Sequence, residues 1–197
     1  MVGKIDYSRF IVGYHGGDAQ AIRNVLLGEE PLAHSRNDYD WLGSGIYFWE
    51  QGPARAFEFA VAEAKRKPSK IKNPDVVGAY IFLGNCFDLL DVNFTKILAA
   101  FYDDFVADLT ARGEPIPTNE RMRGDGTKLL HRLDRAVIEY TLAVLELNNG
   151  QKFDSVRGAF VEGDRIYPDA EIYQKTHIQI AVRNPDCILG YFKPKLG

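Results

Sequence analysis

Sulfur is scarce in this chain, with two cysteines, Cys86 and Cys187, and two methionines among 197 residues. Two thiols exclude both a disulfide framework and a sulfur-rich zinc site, and each sits in an apolar run where a buried thiol is expected. Long hydrophobic runs are missing as well. No stretch approaches the ~18–20 uninterrupted apolar residues that span a bilayer, and the opening MVGKIDYSRF has no continuous apolar segment of the kind a secretion signal needs. A cytoplasmic chain with no membrane partner is the expectation. One-sided charge is also lacking: 24 Lys and Arg against 27 Asp and Glu leave a net charge of −3, which gives no global attraction to nucleic acid. The four histidines, His15, His34, His131 and His177, form no HxH or HxxxH pair, so no metal site is expected. A GxSxG elbow, a P-loop and a GxGxxG fingerprint are absent too.

What is present is an ordinary globular composition, 46% hydrophobic and 26% charged, in a chain long enough to bury a substantial core. Periodicity divides it into three regions. Up to about residue 84, β-like runs at 10–14, 45–49 and 76–83 alternate with helical runs at 19–27 and 53–67. The second helical run opens with Pro53, where a missing N–H costs little, and sets Ala56, Phe59, Ala60 and Ala64 on one face. From about 93 to 148 the apolar spacing is helical: Ile97, Leu98, Phe101, Phe105 and Leu109, then Leu130, Leu133, Val137, Ile138, Thr141, Leu142 and Leu145. The turn-rich GEPIPTNERMRGDG between them predicts a helical hairpin or two crossing helices, ended by Asn149 and Gly150. Strands return at 153–160, 178–183 and 188–193, with a long acidic and aromatic loop at 161–175. The expectation is one α+β domain over residues 1–197, with a helical insertion at about 90–150.

Four segments carry polar groups where a ligand could meet them. Gly13-Tyr14-His15-Gly16-Gly17 ends the first apolar run, so His15 can bond a ligand while the glycines allow close approach to the backbone. A structural histidine fits about equally well. Residues 41–49 read WLGSGIYFW, where alternation puts Tyr47 on one face and Ile46 and Phe48 on the other, making Tyr47 either core or the floor of a site. The polar stretch Ser35-Arg36-Asn37-Asp38-Tyr39-Asp40 leads into it. In Thr176-His177-Ile178-Gln179-Ile180, His177 and Gln179 share a face beside the long loop, which suits ligand contact or the solvent face of an edge strand. A basic run, Lys65, Arg66, Lys67, Lys70 and Lys72, either grips phosphate or solvates a helix end.

Taken in order, these segments resemble the ADP-ribosyltransferase superfamily in its poly(ADP-ribose) polymerase-like, His-Tyr-Glu branch. The matching motifs are Tyr14-His15-Gly16, Gly43-Ser44-Gly45-Ile46-Tyr47-Phe48 and the late strand that begins at Gln179; residues of about 90–150 fall outside the likeness. The resemblance implies a split mixed β-sheet core and NAD+ as co-substrate. It implies cofactor contacts from His15, Gly16, Ser35, Tyr39, Gly45 and Tyr47, with Gly16 bonding the nicotinamide amide through its backbone, His15 donating to the adenosine ribose and Tyr47 stacking on the nicotinamide.

The departure is at the catalytic position. Aligned on Pro185, Gln179 stands where the branch carries its glutamate, and an amide has no full negative charge to offer. Catalysis would then draw on His15, Tyr47 and Gln179, with His177 as a base facing the target and Glu162 or Glu171 of the loop as a substitute charge. The implied function is mono-ADP-ribosyl transfer from NAD+ to a protein or nucleic acid, as a small toxin or defence effector would perform it. Three alternatives stay open: an NAD+ or ADP-ribose binding module, an NAD+ glycohydrolase, and a domain whose helical insertion receives an inhibitory partner protein.

Overall fold

The structure is a computed structural model and describes residues 9–38, 40–121 and 129–195. Strand β1 (Phe10–Asp18) runs directly into helix α1 (Ala19–Leu27). Asp18 makes the junction. Its carboxylate accepts from the Gln20 N–H at 3.1 Å, capping the helix, and from the Lys72 and Asn73 N–H groups at 2.8 and 3.0 Å. These bonds hold the Asp18 carboxyl below its usual range. Strand β2 (Ile46–Glu50) leads to helix α2 (Pro53–Ala64), which opens on its proline, and then come β3 (Pro74–Phe82) and the short β4 (Cys86–Asp88). The insertion follows: α3 (Val92–Arg112), a two-stranded ladder of β5 (Glu120–Arg121) and β6 (Leu129–Leu130), and α4 (Arg132–Asn149). Strands β7 (Ser155–Phe160), β8 (His177–Val182) and β9 (Ile188–Phe192) complete the chain.

Seven strands make one mixed sheet in the order β4-β7-β8-β2-β1-β3-β9, antiparallel throughout except between β4 and β7. The pairing is uneven. β1 matches β3 at nine positions but β2 at two, Gly13 with Glu50 and Tyr14 with Trp49, so a short seam joins two half-sheets.

The alternation read in β2 holds, because Ile46 and Phe48 enter a core with Ile22 and Val25 of α1, while Tyr47 and Trp49 face the other way. That second face is covered in two places. Helix α2 sets Ala56 and Phe59 against Trp49 and Val76, and the insertion sets Phe94, Ile138 and Leu142 against Leu42, Phe87, Val156 and Ala181. The helices α3 and α4 meet through Phe105, Leu109 and Val137, as the helical spacing predicts. Strand β4 has no counterpart in the sequence reading, since three buried residues are too few to show a period. Strand β1 outruns the expected 10–14 because Gly16 and Gly17 continue to pair with Val76 and Asp75. The segment 122–128, part of the turn-rich stretch, lies outside the described residues.

Among the described residues, charge is buried in this core at one place. Arg157 of β7, 5% exposed, donates to Glu50 at 2.6 and 3.1 Å and to Asp88 at 3.0 and 3.2 Å, tying together strands β7, β2 and β4. A buried guanidinium is tolerated when its donors meet carboxylates in this way.

Candidate functional site

Between α2 and the start of α4 the second sheet face is left bare, and a cavity of ≈ 600 Å³ opens there. Its floor is Tyr47 and Trp49 of β2 with Gln179 of β8, which pairs directly opposite Trp49. One wall is α2 with Arg55, Phe59 and Glu63, continued by Arg66 and the 68–71 turn; the other is Trp41, Leu130 and His131, with Phe160 and Glu162 at the rim. The size and the mixture of aromatic and charged groups suit a small-molecule ligand.

His15 sits at the seam. Where the β1–β2 ladder ends, its Nδ1 bonds the Tyr47 carbonyl at 2.8 Å. A carbonyl only accepts, so Nδ1 carries the proton. Burial lowers the pKa of the ring and the Tyr47 carbonyl bond raises it, with a net lowering. The neutral ring thus has a bare Nε2, an acceptor, and the expected donor role toward a ribose hydroxyl is reversed in polarity.

The glycines of the two motifs serve packing. A Cβ on Gly16 would lie 2.0 Å from the Ala56 carbonyl oxygen, so its missing side chain lets α2 approach β1; Gly16 is not among the residues lining the cavity. Gly45 exchanges both backbone bonds with Ser35, at 2.9 and 3.1 Å, and would meet Ala181 if it carried a side chain. Neither Gly16 nor Gly45 lines the cavity, and close approach within the protein gives each a reason to lack a side chain. Ser35 does line the cavity, with its hydroxyl donating to Asp40 at 2.6 Å. Tyr39 lies outside the described residues.

Tyr47 is both floor and staple. Its hydroxyl donates to the Gly43 carbonyl at 2.7 Å and accepts from the Leu42 N–H at 3.0 Å, closing the turn that precedes β2. Gly43 holds φ at 84°, which a side chain would strain. Burial, with the nearby charge of Asp40, raises the phenol pKa well above its ordinary range, so the hydroxyl stays a donor. Glu139 of α4 supports the same turn from the insertion: it accepts from the Ser44 N–H and receives both Arg183 Nη groups at 3.1 Å. Burial would raise the Glu139 carboxyl, but the Arg183 and Ser44 bonds outweigh it and the net shift is down.

Gln179 is held by Trp41, whose indole Nε1 donates to Oε1 at 2.7 Å. Indole only donates, so this contact fixes the amide with its oxygen toward Trp41, and the NH2 is the group left for a ligand. Gly158, opposite Gln179 on β7, is small because the Trp41 ring would sit 2.8 Å from a Cβ there. Glu162 reaches the cavity but is paired with Arg55 at 2.6 Å, which cancels the charge it was expected to lend. Glu171 does not line the cavity; its carboxylate, 79% exposed, pairs with Arg165. His177 is set behind Phe160 and Trp49, with ring centroids at 5.2 and 6.2 Å, and is not a lining residue. Its Nδ1 donates to the Lys175 carbonyl at 2.6 Å and burial lowers its pKa, which leaves it neutral and removed from the position of a target-facing base.

Of the basic run, Arg66 and Lys70 line the cavity and Lys65, Lys67 and Lys72 do not. Among the lining residues, Arg55 and His131 were not expected at the site; Trp41 and Asp40 had a signal, since they lie inside the WLGSGIYFW stretch and the Ser35–Asp40 stretch. Among the described residues no group of three His, Cys, Asp or Glu side chains is arranged to hold a metal ion. The two thiols are buried and pushed up to about 12 at Cys86 and about 11 at Cys187 by desolvation, so both are unreactive.

No family model matches the chain, and no solved structure matches it. It is similar to the uncharacterized protein MJ0359 of the archaeon Methanocaldococcus jannaschii, with 28% identity over 193 residues that cover 89% of this chain and 83% of that protein.

Proposed function

We propose that the cavity binds NAD+ and that the protein is a mono-ADP-ribosyltransferase of the poly(ADP-ribose) polymerase-like type, acting on a protein or nucleic acid acceptor. One observation carries this reading: His15, Tyr47 and Gln179, far apart in the chain, converge on a single cavity whose wall of α2 and the turn after it carries Arg55, Arg66 and Lys70. Arg55 and Arg66 are each paired with a carboxylate of the same cavity, Glu162 and Glu63, so a pyrophosphate would take the place of those partners; the Tyr47 and Trp41 rings suit a nicotinamide. Residues of the aromatic rim could stack a nucleobase acceptor. The ADP-ribosyltransferase-like arrangement of the sheet belongs to the same proposal and is supported by the seam beside His15.

The bond from Trp41 to Gln179 favours a second reading, a module that binds NAD+ or ADP-ribose without cleaving it, because the amide oxygen is already occupied. NAD+ carrying label in its adenylate phosphate, incubated with the protein and a cell extract, separates the two. Label that protease or nuclease releases from a macromolecule supports transfer; free ADP-ribose alone makes the protein a glycohydrolase. NAD+ bound but left intact makes it a binding module, and no binding of NAD+ overturns the proposal.

A further inference from the structure

We propose that His131, held by Asp134, is the base that removes the proton from the nucleophile attacking the ribose carbon. The inference rests on NAD+ being the donor. His131 is the residue before α4, yet its ring does not cap that helix. Asn119 does so instead, accepting from the Leu133 and Asp134 N–H groups at 3.0 and 3.3 Å, which leaves the imidazole for another task. The His131 Nδ1 meets Asp134 Oδ2 at 2.7 Å, and the Asn119 amide donates to Asp134 Oδ1 at 2.9 Å. This pairing fixes the proton on Nδ1 and the lone pair on Nε2, the tautomer a general base needs.

The ring lines the cavity on the wall that also holds Trp41, the residue bound to Gln179. It packs against Trp41 and Phe160, with centroids 5.8 and 5.1 Å away, and Nε2 is shielded from solvent with no hydrogen-bond partner among the described residues. A buried acceptor without a donor asks for an explanation; Nε2 is closed to a water molecule in this structure, and a nucleophile would supply the missing hydrogen once side-chain movement opens that atom to the cavity the ring lines. Two other histidines near the sheet face also hold Nδ1 on an acceptor, and His177 Nε2 is likewise without a partner among the described residues, but only His131 combines a carboxylate on Nδ1 with a place on the cavity wall: His15 bonds the Tyr47 carbonyl, and His177 is not on that wall.

With water as the simplest nucleophile, its oxygen bonds to the ribose C1 and its proton passes to His131 Nε2. The bond from C1 to nicotinamide breaks, and its electron pair neutralises the pyridinium nitrogen. The products are ADP-ribose, neutral nicotinamide and a proton that His131 returns to solvent.

The test uses the full chain with NAD+, with water and then azide as nucleophile, and reads nicotinamide release, product identity and NAD+ affinity. Wild-type protein should yield nicotinamide and ADP-ribose. His131→Ala should bind NAD+ within about threefold of wild type while hydrolysing it about 100-fold more slowly, the scale of a lost general base. Azide arrives as an anion with no proton to remove, so it should restore nicotinamide release and give ADP-ribosyl azide. Asp134→Asn, a change in a positioning residue, should slow hydrolysis about tenfold and respond to azide in the same way. If His131→Ala fails to fold, His131→Gln, which keeps an amide to meet Asp134, takes its place. Hydrolysis at the wild-type rate in these variants, a loss of nicotinamide release that azide does not restore, or a loss of NAD+ affinity beyond about threefold overturns the role of His131 and leaves NAD+ as donor intact. Wild-type protein that binds NAD+ without hydrolysing it does the same; protein that does not bind NAD+ overturns the donor reading and this proposal together.

Discussion

At the scale of single residues, the site is set by which atoms are already bonded. The Gln179 oxygen belongs to Trp41, so replacing the amide by a carboxylate has a definite consequence. In Gln179→Glu one oxygen can keep the indole bond and the other brings a full negative charge toward the ribose, where the transition state gains positive charge. NAD+ cleavage should rise by about tenfold or more, since charge-assisted bonds are roughly twice as strong as neutral ones; nicotinamide release measured against wild type checks this. His15 carries a pH signature. Its folded pKa lies below 6.5, so just under that pH the unfolded chain binds a proton that the folded one refuses. Stability is therefore complete above about pH 6.5 and declines as pH falls toward the folded value, with buried His177 adding the same sign. Urea midpoints taken from about pH 7.5 down to 5 should show this fall, and His15→Gln should flatten it. The depressed carboxyls, Asp134 and Glu139, act in a lower window, near and below their ordinary values of 3.8 and 4.5.

At the scale of elements, the insertion is part of the site's support. Glu139 crosses from α4 to the Gly43–Ser44 turn and to Arg183 after β8, so one side chain couples three segments. Glu139→Ala should cost about 2 kcal/mol, since it leaves a half-buried guanidinium and an N–H without their acceptor. It should also weaken NAD+ binding, because the turn it holds carries Tyr47. Thermal unfolding and calorimetric titration would measure the two effects, and Glu139→Gln should show a smaller loss of each. The four helices and the longer strands were legible in the sequence, whereas the short β4, β5 and β6 were not. Apolar spacing located α1, α3 and α4 to within a few residues, and alternation placed Tyr47 opposite Ile46 and Phe48. What spacing could not show is contact between distant segments. Trp41 and Gln179 are 138 positions apart, and no local pattern announces that an indole will take the amide oxygen. His131 was passed over for a similar reason: its partner Asp134 lies on the same helical turn, but the wall it faces is made by other parts of the chain. The motif glycines misled in the opposite direction, since Gly16 is explained by the carbonyl of Ala56 and Gly45 by Ser35 and Ala181.

At the scale of the whole molecule, two features set how firmly the sheet holds together. The first is the Arg157 cluster, which ties β2 to β4 and β7 within one half-sheet. Arg157→Met should cost about 3–5 kcal/mol, the usual loss when a buried carboxylate is left without its partner. Adding Glu50→Gln and Asp88→Asn should recover part of that loss, because neutral amides are cheaper to bury, and urea denaturation of the single and triple variants would show it. The second feature is the β1–β2 seam. Pulling β1 away from β3 would break a ladder of nine paired positions, whereas parting β1 from β2 breaks two and the His15 to Tyr47 bond. The sheet therefore has a weakest line, and it runs along the floor of the cavity. Breathing of the protein concentrates on that line, so amide exchange in the first residues of β2 should report whether the cavity is filled, and a ligand bridging His15 and Tyr47 acts as a clasp across the two halves.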